Sequence, residues 1–334
     1  MLRTTDNLHT LIDSFANPAK PLTLCTLSAD AGSPKFISAT EIGYAASNVT
    51  PDTVGTVSEI QRMSLINGQA VTVATVAGQV MDAAWSPDGS NVAYLVDTST
   101  PDGSTGNQLW LKKGSSDPKA LTPLIPQFGR DVSADDETIV RFSTDGQYVA
   151  MVDTFVAGPA PALAKLAAFQ VLSVQDGGLV WVPTGALRAA GKYGGWVTMA
   201  AWLHGSDRLF YRDTAGVHTW EPPTAVRTFA AGLEWGSPSL SRDDRIVAYS
   251  AASTTGKPHI ELRNLQSGSV RVLSGTLGQP VLLSDTVMLE WHMVANTQGP
   301  GPAYYPSRLY ALNLSTNVAT LVPGILMTLD SWPR

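Results

Sequence analysis

Short apolar stretches of period two recur along the chain, each followed by a tight polar turn and a second alternating stretch. Residues 82–97 read DAAWSPDGSNVAYLVD and 140–153 read VRFSTDGQYVAMVD; 200–213 read AAWLHGSDRLFYRD and 238–250 read PSLSRDDRIVAYS. Shorter versions occupy 34–47 and 280–291. Alternation of this kind predicts half-buried strands joined as hairpins. Equivalent second-strand positions are Tyr44, Tyr94, Met151, Tyr211, Tyr249 and Glu290, at spacings of 50, 57, 60, 38 and 41 residues. Two further short strands follow each pair, as in RMSLINGQAVTVAT (62–75) and LYALNLSTNVATLV (309–322). Four strands per unit of roughly 40–50 residues is the pattern of a propeller blade.

The expected fold is therefore all-β, a β-propeller of four-stranded antiparallel blades. Complete blades fall at approximately 34–77, 80–124, 137–185, 196–231, 236–275 and 279–323. Residues 6–28 and 325–333 supply a seventh blade closed by both termini, or, in the rival reading, six blades carry the N-terminal arm as an added strand. Either way the 334 residues make one propeller domain rather than two domains. Composition agrees: 44% apolar residues suffice for a core, and 29 Gly with 22 Pro supply turns.

The pattern W-S-P-D-G-x-x-V-A-Y, from Trp85 to Tyr94 with weaker copies at Phe142 and Leu240, resembles the TolB-type, WD-like propeller repeat. KALTPL (119–124) resembles that repeat's usual ending. The Gly-His and Trp-Asp pairs of the eukaryotic WD repeat are missing. Such repeats serve transport scaffolds, peptidase gating domains, lyases and sensor ectodomains, so the resemblance implies the fold and leaves the function open.

A net charge of -6 excludes nucleic acid and anionic membrane surfaces as expected partners. No apolar run is long enough to span a bilayer, so membrane insertion is not expected. The N-terminal MLRTTDNLHT has neither the apolar core nor the cleavage site of a signal peptide. A single cysteine, Cys25, precludes an internal disulfide, and its alternating flanks mark it as a structural thiol. Neither HExxH nor G-x-S-x-G occurs, and the five histidines are scattered. No catalytic residue, resident cofactor or metal ligand is assigned. Asp88 and Asp145 belong in turns where the carboxylate bonds its own backbone; a structural calcium on such carboxylates is the rival reading.

In a propeller the first-to-second and third-to-fourth turns share one face, and the remaining connections share the other. The first set is short here, whereas the second includes 48–58, 98–107, 123–137, 155–169, 184–196 and 296–307. Long insertions on one face mark a binding face. Phe128, Arg130, Asp131, Phe155, Tyr193, Trp196, Tyr304 and Tyr305 are its candidate ligand-binding residues. Ala, Leu and Lys within 161–168 predict a short helix over the entrance. The expectation is a monomeric, extracytoplasmic, non-enzymatic module for a protein, peptide or glycan. Its rivals are a carbohydrate-active hydrolase or lyase with an axial site, and a structural scaffold.

Overall fold

A computed structural model describes residues 2–5, 9–14, 22–28, 31–48, 57–99, 105–126, 138–157, 164–182, 198–213, 216–223, 225–231, 236–252, 257–296 and 303–322. Within them lie 28 strands in seven antiparallel sheets, and no helix. Sheet 1 holds β1 (Leu2–Thr5), β2 (His9–Ser14) and β3 (Leu22–Ser28). Sheet 2 follows with β4 (Ala31–Ser38), β5 (Glu41–Asn48), β6 (Val57–Ser64) and β7 (Ala70–Ala77). Sheet 3 has β8 (Gln79–Trp85), β9 (Asn91–Ser99), β10 (Thr105–Lys113) and β11 (Lys119–Ala120), with β12 (Ile125–Pro126) also on β10. Sheet 4 comprises β13 (Thr138–Phe142), β14 (Tyr148–Ala157), β15 (Ala164–Ser173) and β16 (Leu179–Trp181). Sheet 5 comprises β17 (Thr198–Trp202), β18 (Leu209–Asp213), β19 (Gly216–Glu221) and β20 (Ala225–Ala231). Sheet 6 contains β21 (Gly236–Leu240), β22 (Ile246–Ala252), β23 (Pro258–Asn264) and β24 (Val270–Leu273). Sheet 7 contains β25 (Leu277–Leu282), β26 (Val287–Asn296), β27 (Ala303–Asn313) and β28 (Val318–Leu321). Residues 325–333, expected to complete the closing blade, lie outside the described residues.

First strands adjoin one another in succession, β4 on β8, β8 on β13, β13 on β17, β17 on β21 and β21 on β25. This places the first strands of sheets 2 to 7 innermost, which is the propeller arrangement. The repeat positions explain how consecutive sheets adhere. Tyr44, Tyr94, Met151, Tyr211, Tyr249 and Glu290 are all buried. Tyr94 packs with Ala45, Ile60 and Ala74 of the preceding sheet, and Met151 packs with Leu109 and Leu111. Between sheets 4 and 5 the contact is aromatic: Trp181 stacks on Trp220 at 5.0 Å, and Phe169 meets Tyr211 edge-on at 5.8 Å. Large apolar area removed from water, with favourable ring geometry added, is the main adhesive between sheets. Trp85 approaches so closely that a Cβ on Gly43 would sit 2.3 Å from its indole.

The first-to-second turns follow a common plan. Asp88, Asp145 and Asp243 accept the backbone N–H of Ser90, Gln147 and Arg245 at 3.0, 2.8 and 3.0 Å. Gly146 follows Asp145 with a φ of 74°, in the left-handed region. Asp244 occupies the matching position in sheet 6 with a φ of 56°. Its carboxylate crosses to the preceding sheet, accepting His204 N–H at 2.8 Å and Gly205 N–H at 2.6 Å. Sheet 5 has glycine where its neighbours carry the turn aspartate, and Asp244 supplies the missing acceptor. Asp207 likewise accepts from Asp145 N–H at 3.2 Å, and Asp285 from Asp243 N–H at 3.1 Å.

The helix expected over 161–168 is not formed. Residues from Ala164 onward belong to β15, which pairs with β14 in unbroken register, Phe155 opposite Leu166 and Val156 opposite Lys165. Intrinsic helix preferences differ by only a few tenths of a kcal/mol per residue, and ladder hydrogen bonds to an adjacent strand outweigh them. Cys25 is half-buried in β3 beside Leu27 and Tyr44 and forms no disulfide.

Candidate functional site

Strand order sorts the connections between the two faces. The turn face carries first-to-second connections no longer than 203–208. The strand ends on the opposite face are where β5 leads to β6, β12 to β13 and β16 to β17, and two hairpins rise there whose strands are the longest among the described residues, β14–β15 and β26–β27. Phe128, Arg130, Asp131, Tyr193 and Trp196 lie outside the described residues. Phe155 falls in β14, and Tyr304 and Tyr305 fall in β27 opposite Ala295 and Val294. The segments 155–157 and 303–307 are thus strand, not loop, because each hairpin keeps pairing toward its tip.

A groove of about 530 Å³ opens beside the β26–β27 hairpin on that face, at the connection from sheet 6. It is lined by Thr276, His292, Met293, Val294, Ser307, Arg308 and Tyr310. A β-bulge shapes it: His292 pairs with Arg308 and Met293 with Pro306, leaving Ser307 as the extra residue. The Ser307 hydroxyl donates to the His292 carbonyl at 2.8 Å, which fixes the bulge. The His292 ring lies against Tyr310, centroids 4.1 Å apart. Burial, then the nearby Arg308 guanidinium, hold the His292 imidazole below its ordinary pKa. Arg308 is exposed and has no ion-pair partner among the described residues.

Glu290 stands next to this groove, 3% exposed. Its Oε1 is 3.8 Å from His292 Nε2, too far for a hydrogen bond, and its Oε2 has no partner among the described residues. Burial pushes its carboxyl up to about 7. Sheet 6 offers a contrast at the same level. There the Tyr249 hydroxyl donates to Glu261 Oε2, and His259 Nε2 lies 3.2 Å from Glu261 Oε1. Sheet 7 exchanges the roles, acid on the second strand and tyrosine on the third, and the Oε2 of its acid finds no hydrogen bond among the described residues. The repeat comparison marks Glu290 as the only acid among the six equivalent positions; His292, Arg308 and Tyr310 give no spacing signal.

A second polar cluster lies on the inner strands. Lys35 Nζ donates to Asp82 Oδ1 at 2.7 Å, while Val140 N–H and Arg141 Nη1 donate to Asp82 Oδ2 at 2.9 and 3.0 Å. Burial alone would raise the Asp82 pKa; the charges of Lys35 and Arg141 and the hydrogen bonds outweigh it and hold the carboxyl below its ordinary value. Burial and Arg141 bring Lys35 down to about 8. Both Asp82 oxygens are occupied, so the cluster ties three sheets together and leaves no free base. No group of three or more His, Cys, Asp or Glu is placed to hold a metal among the described residues. No helix among them is long and apolar enough to cross a membrane.

Comparison with solved structures agrees with the fold. Oligogalacturonate lyase in complex with manganese superposes with a TM-score of 0.57 at 10% identity, over 96% of this chain and 85% of that one. The β-propeller domain of the trilobed protease from Pyrococcus furiosus, described with an open velcro topology, superposes with a TM-score of 0.54 at 9% identity, over 85% and 80%. TolB from Acinetobacter baumannii aligns over 95% of this chain and 63% of that one at 14% identity, with a TM-score of 0.44. At such identities the likeness concerns the fold alone: the chain is a β-propeller. No family model and no curated protein matches the sequence.

Proposed function

We propose that this propeller is a non-enzymatic, extracytoplasmic binding module that takes a protein or peptide on its long-loop face. The observation that carries the reading is the groove beside β26–β27: an open cleft on that face, with a guanidinium that has no ion-pair partner among the described residues, a tyrosine, and the aliphatic Met293 and exposed Val294. Such a mix of aromatic, Arg and aliphatic contacts suits macromolecular recognition. We assign Phe128, Arg130, Asp131, Phe155, Tyr193, Trp196, Tyr304 and Tyr305 to the same surface, and infer a ring of seven blades closed by the two termini. An axial hydrolase or lyase site draws less support, since Asp82 is saturated by its own neighbours.

Selection of a random-peptide display library on the intact chain tests this. Selected peptides are expected to lose at least about tenfold in affinity, ~1.4 kcal/mol, on a Trp196→Ala/Tyr304→Ala variant of unchanged melting temperature. No binders, or binders indifferent to both changes, would overturn the assignment of the face.

A further inference from the structure

We propose that the groove beside β26–β27 seats a carboxylate of an acidic peptide segment, with Arg308 as its ion-pair partner and Tyr310 and His292 alongside. The inference rests on the reading of the long-loop face as a binding surface and names the chemistry it selects. Three observations meet here. Arg308 is exposed at the groove without an ion-pair partner among the described residues, and guanidinium is the side chain best shaped to grip a carboxylate through two parallel N–H donors. The remaining polar lining among the described residues, Thr276, Ser307, Tyr310 and His292, offers hydroxyls and an imidazole and no carboxylate. Met293 and Val294, the latter 52% exposed, form an aliphatic wall beside that charge.

An extended segment alternating acidic and aliphatic side chains fits such a wall and cation. A neutral sugar would ask for side-chain carboxylate or amide acceptors toward its hydroxyls, and the described lining residues offer none. The chain's net charge of -6 does not forbid an acidic ligand, because at physiological salt fields between exposed charges fade beyond about 8 Å. Glu290 lies 3.8 Å from His292 Nε2 and is not among the described residues of the lining.

The test uses the whole chain labelled with ¹⁵N in its histidine rings. One probe is an N-acetylated, C-amidated hexapeptide alternating valine and glutamate. The second is a valine–serine hexapeptide with a free C-terminal carboxylate, with its C-amide as the neutral control. The third is trigalacturonate. Saturable shifts of the His292 ring with either carboxylate-bearing peptide and not with the neutral amide are expected, the two arms telling a side-chain carboxylate from a chain terminus. Affinity should fall at least tenfold in Arg308→Ala and partly in Arg308→Lys, both with unchanged melting temperature; Arg308→Gln serves if the alanine variant does not fold. The proposal is overturned if His292 does not respond, if the neutral amide binds equally, if Arg308→Ala binds as before, or if trigalacturonate alone binds through Arg308. Display-selected peptides that need Trp196 and Tyr304 but ignore Arg308 would defeat it while leaving the binding face intact.

Discussion

Glu290→Gln isolates the consequence of burying a lone acid between two sheets. Unfolded, this carboxyl releases its proton near the ordinary value of 4.5; folded, it does so near 7. From about pH 4.5 upward the unfolded state therefore binds fewer protons, and stability falls as pH rises, levelling off above about 7. The gap corresponds to about 3 kcal/mol at full development, at roughly 1.4 kcal/mol per unit. For a chain of 334 residues the unfolding entropy is about 0.7 kcal/mol/K, so the effect is about 4 °C in melting temperature. Glutamine has nearly the same shape and does not titrate. The assay is the melting temperature of wild type and Glu290→Gln at half-unit steps from pH 4.5 to 8.5. The difference between them should move by about 4 °C in favour of the variant across that range, on top of any constant offset from the new amide. A difference that stays flat, or one that moves in favour of the wild type, would mean that the carboxylate is accommodated in its charged form and would refute the reasoning.

Other perturbations address the contacts between sheets. Tyr94→Ala removes a ring buried against sheet 2 and should cost about 3–5 kcal/mol; an unchanged melting temperature would contradict the packing. Asp82→Ala strands Lys35 and Arg141, and because both cations are partly exposed the loss should be about 2 kcal/mol in urea unfolding. Gly43→Ala drives a methyl into the Trp85 indole and should cost about 1–3 kcal/mol, with a blue- or red-shifted Trp fluorescence maximum reporting the displaced ring. Asp244→Ala loses two backbone bonds and the His204 Nδ1 contact to sheet 5 yet keeps a side chain at positive φ. Asp244→Gly loses the same bonds and relieves the backbone, so it should be the more stable of the two by about 1 kcal/mol.

The strand register was legible because sheets 2 to 6 repeat one physical demand, a large side chain on the second strand facing its predecessor. Tyr44, Tyr94, Tyr211 and Tyr249 answer it in sequence as they do in space. The turn aspartates were legible for the same reason, since the Ser-x-Asp pattern satisfies local backbone donors. Partnerships across sheets were not. Lys35, Asp82 and Arg141 come from three sheets with no shared spacing, and nothing local demands that they meet. The groove was equally hidden, because the extra residue at Ser307 breaks the alternation of β27, and both Ser307 and Arg308 line it. Segment 161–168 misled for the opposite reason: a composition rich in Ala and Leu reads as helix until β14 supplies a ladder of hydrogen bonds.

The aspartate clasps between turns all point the same way. Asp207, Asp244 and Asp285 each accept backbone donors of the sheet before them. In an array where stability is a sum of unit and nearest-neighbour contributions, such one-way capping gives the propeller a direction. Loosening sheet 7 withdraws the cap from the turn of sheet 6, whose own loosening uncaps sheet 5, and so on backward along the chain. Loosening sheet 4 instead leaves the caps of sheets 5 and 6 in place. Fraying should therefore travel from higher-numbered sheets to lower ones, and amide exchange at these turns would record its course.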